Sequence, residues 1–198
     1  MKTKHYLASL LGAAFLLSHA PLSAQTAEPL DAAAAKAALS QKSVKPRFIP
    51  KSPILSRTYT LTAKGAGVEI VQYANGQKEE NPYVAIPILF VRGQDALLDT
   101  TSSANVRATA KVLLDIMNAE PGARFVIQGH TSAEGDAKLN EVLSAQRAQK
   151  IYNLLVGEQG VDATRLGQVG FGPRFAATPA DGAESARQLD RRVLVVRQ

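Results

Sequence analysis

Apolar and polar positions change rhythm several times along this chain. From Thr58 to Tyr73 they alternate: Tyr59 and Leu61, then Val68 and Ile70 beyond a Gly65-Ala66-Gly67 break. That is the pattern of a β-hairpin, and Asn75-Gly76 supplies a second turn signal. Alternation resumes at Val84, Ile86, Ile88 and Phe90, where Pro87 implies an edge position or a bulge. The period then lengthens. Val106, Ala110, Leu113, Ile116 and Met117 keep helical spacing, with Ser102 or Ser103 placed to cap and Pro121-Gly122 to stop the helix. Phe125 to Gln128 forms a short strand. Asp136 is placed to cap a second helix whose Leu139, Val142, Leu143, Ile151, Leu154 and Leu155 are expected to face a core, ending at Gly157 and Gly160. Gln168 to Gly172 is a brief strand or turn, Ala183 to Leu189 a short helix, and Arg192 to Arg197 a last strand. Strands alternating with helices indicate an α/β (α+β) fold with the helices packed on one sheet.

Upstream of these elements the pattern is of another kind. Lys2 and Lys4 precede the apolar run Leu7 to Leu17, and Ser23-Ala24 follow, as in a secretory signal peptide cut after Ala24. Eleven apolar residues fall short of the about 20 that span a bilayer. Residues 25–56 read as a flexible tether. It is Ala-rich from Asp31 to Leu39, where a short helix fits, then broken by Pro46, Pro50 and Pro53 and dominated by Lys42, Lys45, Arg47, Lys51 and Arg57. The chain therefore divides into an exported leader (1–24), a basic tether (25–56), a β-hairpin region (57–82) and a main domain (83–198). No later segment is apolar enough to span a membrane.

Composition narrows the chemistry. The 198 residues include no cysteine, which excludes a disulfide scaffold, a cysteine nucleophile, thiolate metal sites and lipid anchoring through cysteine. Of three histidines, His5 and His19 lie in the leader, so only His130 remains and no metal or other cofactor is expected. Losing the leader lowers the net charge from +6 to +4. A basic chain invites a nucleic-acid reading, but basic and aromatic residues do not interleave and an export signal points elsewhere. Positive charge also draws a protein towards an anionic wall.

One cluster departs from simple amphipathicity. Asn140, Ser144 and Arg147 stand at i, i+4 and i+7 on one helix face, behind the loop Gly129-His130-Thr131-Ser132-Ala133-Glu134-Gly135. A strand end followed by a helix N-terminus favours anions, so a polar cleft floored by Thr131 and Ser132 is expected, with Arg147 reaching over it. A planar guanidinium there suits a carboxylate or phosphate. The alternative is that Arg147 pairs with Glu141, Glu158 or Asp190 and that Asn140 caps a loop; spacing alone does not choose. His130 and Ser132 also raise the question of a hydrolase. A serine nucleophile needs an oriented base, and no Gly-x-Ser-x-Gly elbow is present, so His130 is expected to fix the loop instead. Asp190-Arg191-Arg192 is expected to lock the last strand by ion pairs, with Arg192 near the ligand.

Gly129-His130-Thr131, Asn140 and Leu143-Ser144-Ala145-Gln146-Arg147-Ala148 together resemble the OmpA-like C-terminal domain shared with MotB-type and peptidoglycan-associated proteins. Gly160-Val161-Asp162, Arg165-Leu166, Gly170-Phe171-Gly172 and Asp190-Arg191-Arg192-Val193 agree in order and spacing over residues 83–198. The resemblance implies a β-α-β-α-β unit with a small extra helix and strand. It further implies non-covalent binding of the peptidoglycan stem peptide at diaminopimelate, in the periplasm of a Gram-negative-type envelope, by a tether or sensor and not an enzyme. By the same resemblance Arg147 holds the ligand carboxylate, Thr131 and Asn140 take the family's positions, and Leu143 and Val193 line the pocket. Two acids of the family pattern are missing: Ser132 stands where an Asp usually meets the ligand ammonium, and Val91 where a second acid often follows the strand phenylalanine. Glu134 or Asp136 is expected to compensate, and Ser132→Asp to strengthen binding. The rival readings are a protein-interaction module in an envelope complex, which the two departures favour, and, more distantly, a wall hydrolase.

Overall fold

The computed structural model describes residues 26–41, 60–64, 68–72 and 78–198; the expected leader, most of the expected tether and the expected turns at Gly65-Ala66-Gly67 and Asn75-Gly76 lie outside them. Six strands form one sheet in the order β1-β2-β3-β6-β4-β5. They are β1 (Thr60–Lys64), β2 (Val68–Gln72), β3 (Lys78–Ile86), β4 (Phe125–Gly129), β5 (Leu166–Gly170) and β6 (Val193–Arg197). Only the β4–β5 pair is parallel; β3 and β4 both run antiparallel to β6. The helices are α1 (Ala32–Leu39), α2 (Thr100–Ala119), α3 (Ala137–Asn153) and α4 (Glu184–Asp190), and α3 runs on into a π-helical turn at Leu154–Glu158. The α/β expectation holds, with the last strand inserted between β3 and β4.

Alternation along the strands builds the core. Phe125 and Ile127 of β4 and Val193 and Val195 of β6 point to one face and are fully buried. Leu113, Ile116 and Met117 of α2, and Ala148 and Ile151 of α3 with Leu155 just beyond it, close over them. Replacing such a side chain with alanine typically costs about 2–5 kcal/mol, so these few contacts fix how α2 and α3 lie on the sheet.

Four expectations change. The α2 cap is Asp99, whose Oδ1 accepts from Ser102 N at 2.6 Å. A carboxylate there also suits the positive end of the helix. Ser102 is instead buried, and its Oγ accepts from Leu89 N at 2.9 Å. Pro87 lies one residue past the end of β3, while Pro82 lies within it, opposite Val68. The Ala-rich part of the expected tether is a docked helix: Ala35 and Leu39 of α1 join the core cluster. Finally, β3 runs through residues 82 and 83, where the pattern divides a hairpin region from the main domain, and binds β2 with its first half and β6 with its second.

Candidate functional site

The site lies where β4 ends and α3 begins, and two glycines allow the close approach. A Cβ on Gly129 would sit 2.1 Å from Ser144 O, and one on Gly170 would sit 2.3 Å from Ala145 N. The parallel pair β4–β5 therefore packs its end directly on the α3 backbone. Ser144 belongs to that joint, not to a cleft. Its Oγ accepts from Gly172 N at 2.8 Å and donates to Glu141 O at 2.8 Å. Gly172 O in turn accepts from Thr131 N at 3.0 Å, fixing the loop after β4.

The inward stripe of α3 is Ser144, Arg147, Ala148 and Ile151. Ile151 and Leu155 face the core as expected, but Ser144 and Arg147 are buried with them and the expectation for Leu139 and Val142 reverses: they are 71% and 56% exposed. Leu143, between the two faces, is half-buried. Asp136 caps the helix as expected, Oδ1 accepting from Leu139 N at 2.9 Å. Asn140 ties the loop, its Nδ2 donating to Glu134 O at 2.7 Å.

Arg147 is only 6% exposed. Its guanidinium lies 4.7 Å from the Phe90 ring centroid. Its Nε donates to Gln94 O at 3.0 Å, and Nη2 reaches Val91 O at 3.5 Å. Neither Glu141, Glu158 nor Asp190 pairs with it: Glu141 holds Arg174 at 3.0 Å, and Asp190 receives Ala177 N, Thr178 N and Arg192. The aromatic face and two carbonyls hold the cation in place without neutralising it, and its Nη1 end has no hydrogen-bond partner among the described residues. Burial pushes the Arg147 pKa down to about 10, the nearby Arg191 charge adds to this, and Asp95 opposes it.

Thr131 and Ser132 are both buried. Thr131 Oγ1 has no hydrogen-bond partner, while Ser132 Oγ lies 3.5 Å from Arg191 Nη1. The sequence pattern points to its neighbour Arg192 and not to Arg191. Arg192 donates to Phe175 O at 3.3 Å and pairs with Asp190 at 3.6 Å. These contacts hold it at the start of β6, where its carbonyl also accepts from His130 N at 3.0 Å. Val193 is buried in β6, opposite Ile86 and Gly129, within the core cluster. The missed signal was the run Asp190-Arg191-Arg192 itself: its acid is taken by one arginine, leaving the other for a different partner.

His130 and Ser132 do not form a base–nucleophile pair. His130 Nε2 lies 3.4 Å from Gln128 Oε1, and its Nδ1 has no partner. The ring stacks on Phe171 at 5.5 Å and meets Phe175 edge-on at 6.1 Å. Burial, with Arg192's charge behind it, pushes its pKa down to about 3, so it is neutral at physiological pH. Among the described residues no cluster of His, Cys, Asp or Glu is arranged to hold a metal ion.

Comparison with known proteins places this arrangement. The chain is 36% identical over 89 residues to outer membrane porin F of Pseudomonas aeruginosa, a match covering 45% of this chain and 25% of that one. It is 33% identical over 79 residues to the peptidoglycan-associated lipoprotein of Haemophilus influenzae, covering 40% and 50% respectively. The matched region thus spans between a quarter and half of these relatives. In fold it is similar to the C-terminal domain of Helicobacter pylori MotB, with a TM-score of 0.50 at 18% identity, covering 58% of this chain and 84% of that one. The model of the OmpA family matches residues 89–189. That span runs from the Phe90 loop through α2, β4, α3 and β5 into α4, and so takes in Arg147 and its surroundings. The chain belongs to the OmpA family.

Proposed function

We propose that this protein binds peptidoglycan non-covalently in the bacterial cell envelope, as a tether or sensor, by holding a stem-peptide carboxylate at Arg147. One observation carries the reading: a buried guanidinium, held over Phe90 and by two loop carbonyls, that no carboxylate of the described chain pairs with. A buried cation left unpaired is costly, and a site that tolerates one gains when an anion arrives. The porin and lipoprotein relatives, one an outer-membrane protein and the other peptidoglycan-associated, support an envelope setting. Thr131, Ser132, Asn140 and Leu143 complete the cleft on this reading, over a floor that includes Val193.

Sedimentation with purified sacculi tests it. The mature chain is expected in the pellet at physiological salt, and Arg147→Ala in the supernatant. Arg147→Ala also removes a side chain that bonds the 91–94 loop, so melting is measured alongside. A binding loss of tenfold or more with a melting shift under about 4 °C, which corresponds to about 1 kcal/mol or less in a domain of this size, marks a ligand role. Wild-type protein left in the supernatant overturns the reading.

A second reading, a protein-interaction module in an envelope complex, is favoured by Leu139 and Val142, which leave an apolar strip of α3 exposed beside the cleft. Double substitution Leu139→Ser, Val142→Ser is expected to spare sacculus binding. If it abolishes that binding while the protein stays folded, the apolar strip and not Arg147 carries the contact.

A further inference from the structure

The acids expected to compensate for Ser132 are both engaged. Asp136 caps α3. Glu134 pairs with Arg92 at 3.6 Å and Arg187 at 3.9 Å. Glu184, the next acid along, is shared by Arg187 at 2.9 Å and by Arg191. Asp95 remains, exposed on the 91–97 loop and acting on Arg147 from a distance. The group that faces the Ser132 hydroxyl is Arg191, at 3.5 Å. A ligand ammonium brought to this position meets the Arg191 guanidinium, whose carboxylate partner Glu184 is already shared with Arg187.

We infer that Arg191 is a second anion-binding residue of this cleft, so that Arg191 and Arg147, with the Ser132 and Thr131 hydroxyls, recognise the ligand by carboxylate groups and leave its ammonium unread. The inference rests on the peptidoglycan reading for the identity of the ligand and deepens it by naming which end of the stem is gripped. Two features support it independently. Thr131 Oγ1 is a buried hydroxyl with no partner, and such a group gains a hydrogen bond when an anion enters. Arg191 and Arg147 lie close enough to repel one another, and a shared anion removes that cost.

The position of Arg191 also reverses the expectation for Ser132→Asp. A carboxylate at residue 132 falls within reach of Arg191 and pairs with it, so the cleft is filled by its own side chain.

The test titrates the mature chain calorimetrically with a diaminopimelate stem tripeptide in three forms: free, acetylated on the side-chain amine, and amidated on the side-chain carboxylate. Amidation is expected to weaken binding about tenfold or more, the scale of one lost charge-assisted hydrogen bond, and acetylation by less than about twofold. Ser132→Asp is expected to weaken the free stem as well. Equal losses from both modifications, or a gain from Ser132→Asp, overturn the inference. Arg191 also bonds Gln188 at 2.6 Å and Glu184, so Arg191→Gln is read beside Arg191→Lys, which keeps the charge and should recover part of the loss. NMR titration with glutarate separates this inference from its parent. Shifts at the Thr131 and Ser132 amides that vanish in Arg191→Gln uphold the anion cleft even if sacculi are not retained, in which case only the peptidoglycan reading fails. Absence of those shifts overturns the cleft even if sacculi are retained.

Discussion

His130 shows how a residue that looks catalytic in sequence serves packing instead. Its ring is enclosed by Phe171 and Phe175, and its backbone N donates to Arg192 O at 3.0 Å, so it joins the loop after β4 to the start of β6. A neutral buried imidazole has a stability consequence whose sign is fixed. The folded-state pKa is about 3, below the about 6.5 of an unfolded chain. Between these values the unfolded chain binds a proton that the folded protein refuses. Stability is therefore full above about pH 6.5 and falls as pH drops towards about 3, by up to about 1.4 kcal/mol per pH unit. Urea denaturation at pH 7, 6 and 5 checks this, because carboxylates contribute little above pH 5. His130→Phe is expected to flatten the slope; an unchanged slope places the titrating group elsewhere. The same scale shows what sequence could and could not reveal. Arg147 was legible because helical spacing puts it behind the Gly129–Gly135 loop. Arg191 was not, because adjacent residues at a strand start turn to opposite sides, and which one meets Ser132 depends on where α4 ends.

At the scale of elements, α1 is the clearest case of a helix whose existence the pattern predicts and whose role it does not. Its eight residues are too few to hold a helix alone in water. Asp31 caps it, with Oδ1 accepting from Ala34 N at 2.9 Å, but docking decides. Leu30 N donates to Asn105 Oδ1 at 2.8 Å, and buried Arg197 donates to Leu39 O at 2.8 Å while pairing with Glu120 at 2.5 Å. With only Leu30 and Leu39 as large apolar residues, the segment reads as tether; the groups that hold it sit about 75 and 158 positions away. α3 makes the converse point. Two of the six apolar positions expected to face the core mislead, because Gly129 and Gly170 bring the strand ends against Ser144 and Ala145 and so turn Leu139 and Val142 outward, while Ile151 and Leu155 face the core. Leu39→Ala is expected to cost about 2–4 kcal/mol in chemical denaturation, as for a fully buried leucine. Lys36→Ala breaks a pair with Asp115 that is about half-exposed and should cost less than about 0.5 kcal/mol. Equal small effects would mean that α1 is not docked in solution.

The whole molecule separates its charge from its cleft. Residues 42–57 hold Lys42, Lys45, Arg47, Lys51 and Arg57 and no acid, so they carry +5 while residues 25–41 and 58–198 together sum to −1. Around the cleft the charges are paired at short range: Glu134, Glu184 and Asp190 hold Arg92, Arg187, Arg191 and Arg192. Long-range attraction to an anionic wall falls to residues 42–57, which precede the sheet by a few residues. The two contributions respond differently to salt. Screening shortens the range of exposed charges from about 30 Å at about 0.01 M to about 8 Å at about 0.15 M, whereas a buried contact at Arg147 is screened much less. Sacculus binding by the mature chain is thus expected to fall several-fold over that range, while affinity for a soluble stem peptide changes by less than about twofold. Replacing the five cations of residues 42–57 with glutamine should flatten the salt dependence on sacculi and leave the soluble-stem affinity where it was. If the replaced protein remains as salt-sensitive as the wild type, the attraction arises on the folded domain, and the near-neutral sum of its charges conceals a basic face. If instead the soluble-stem affinity falls with the cations, residues 42–57 touch the ligand directly and the separation of charge from cleft is wrong.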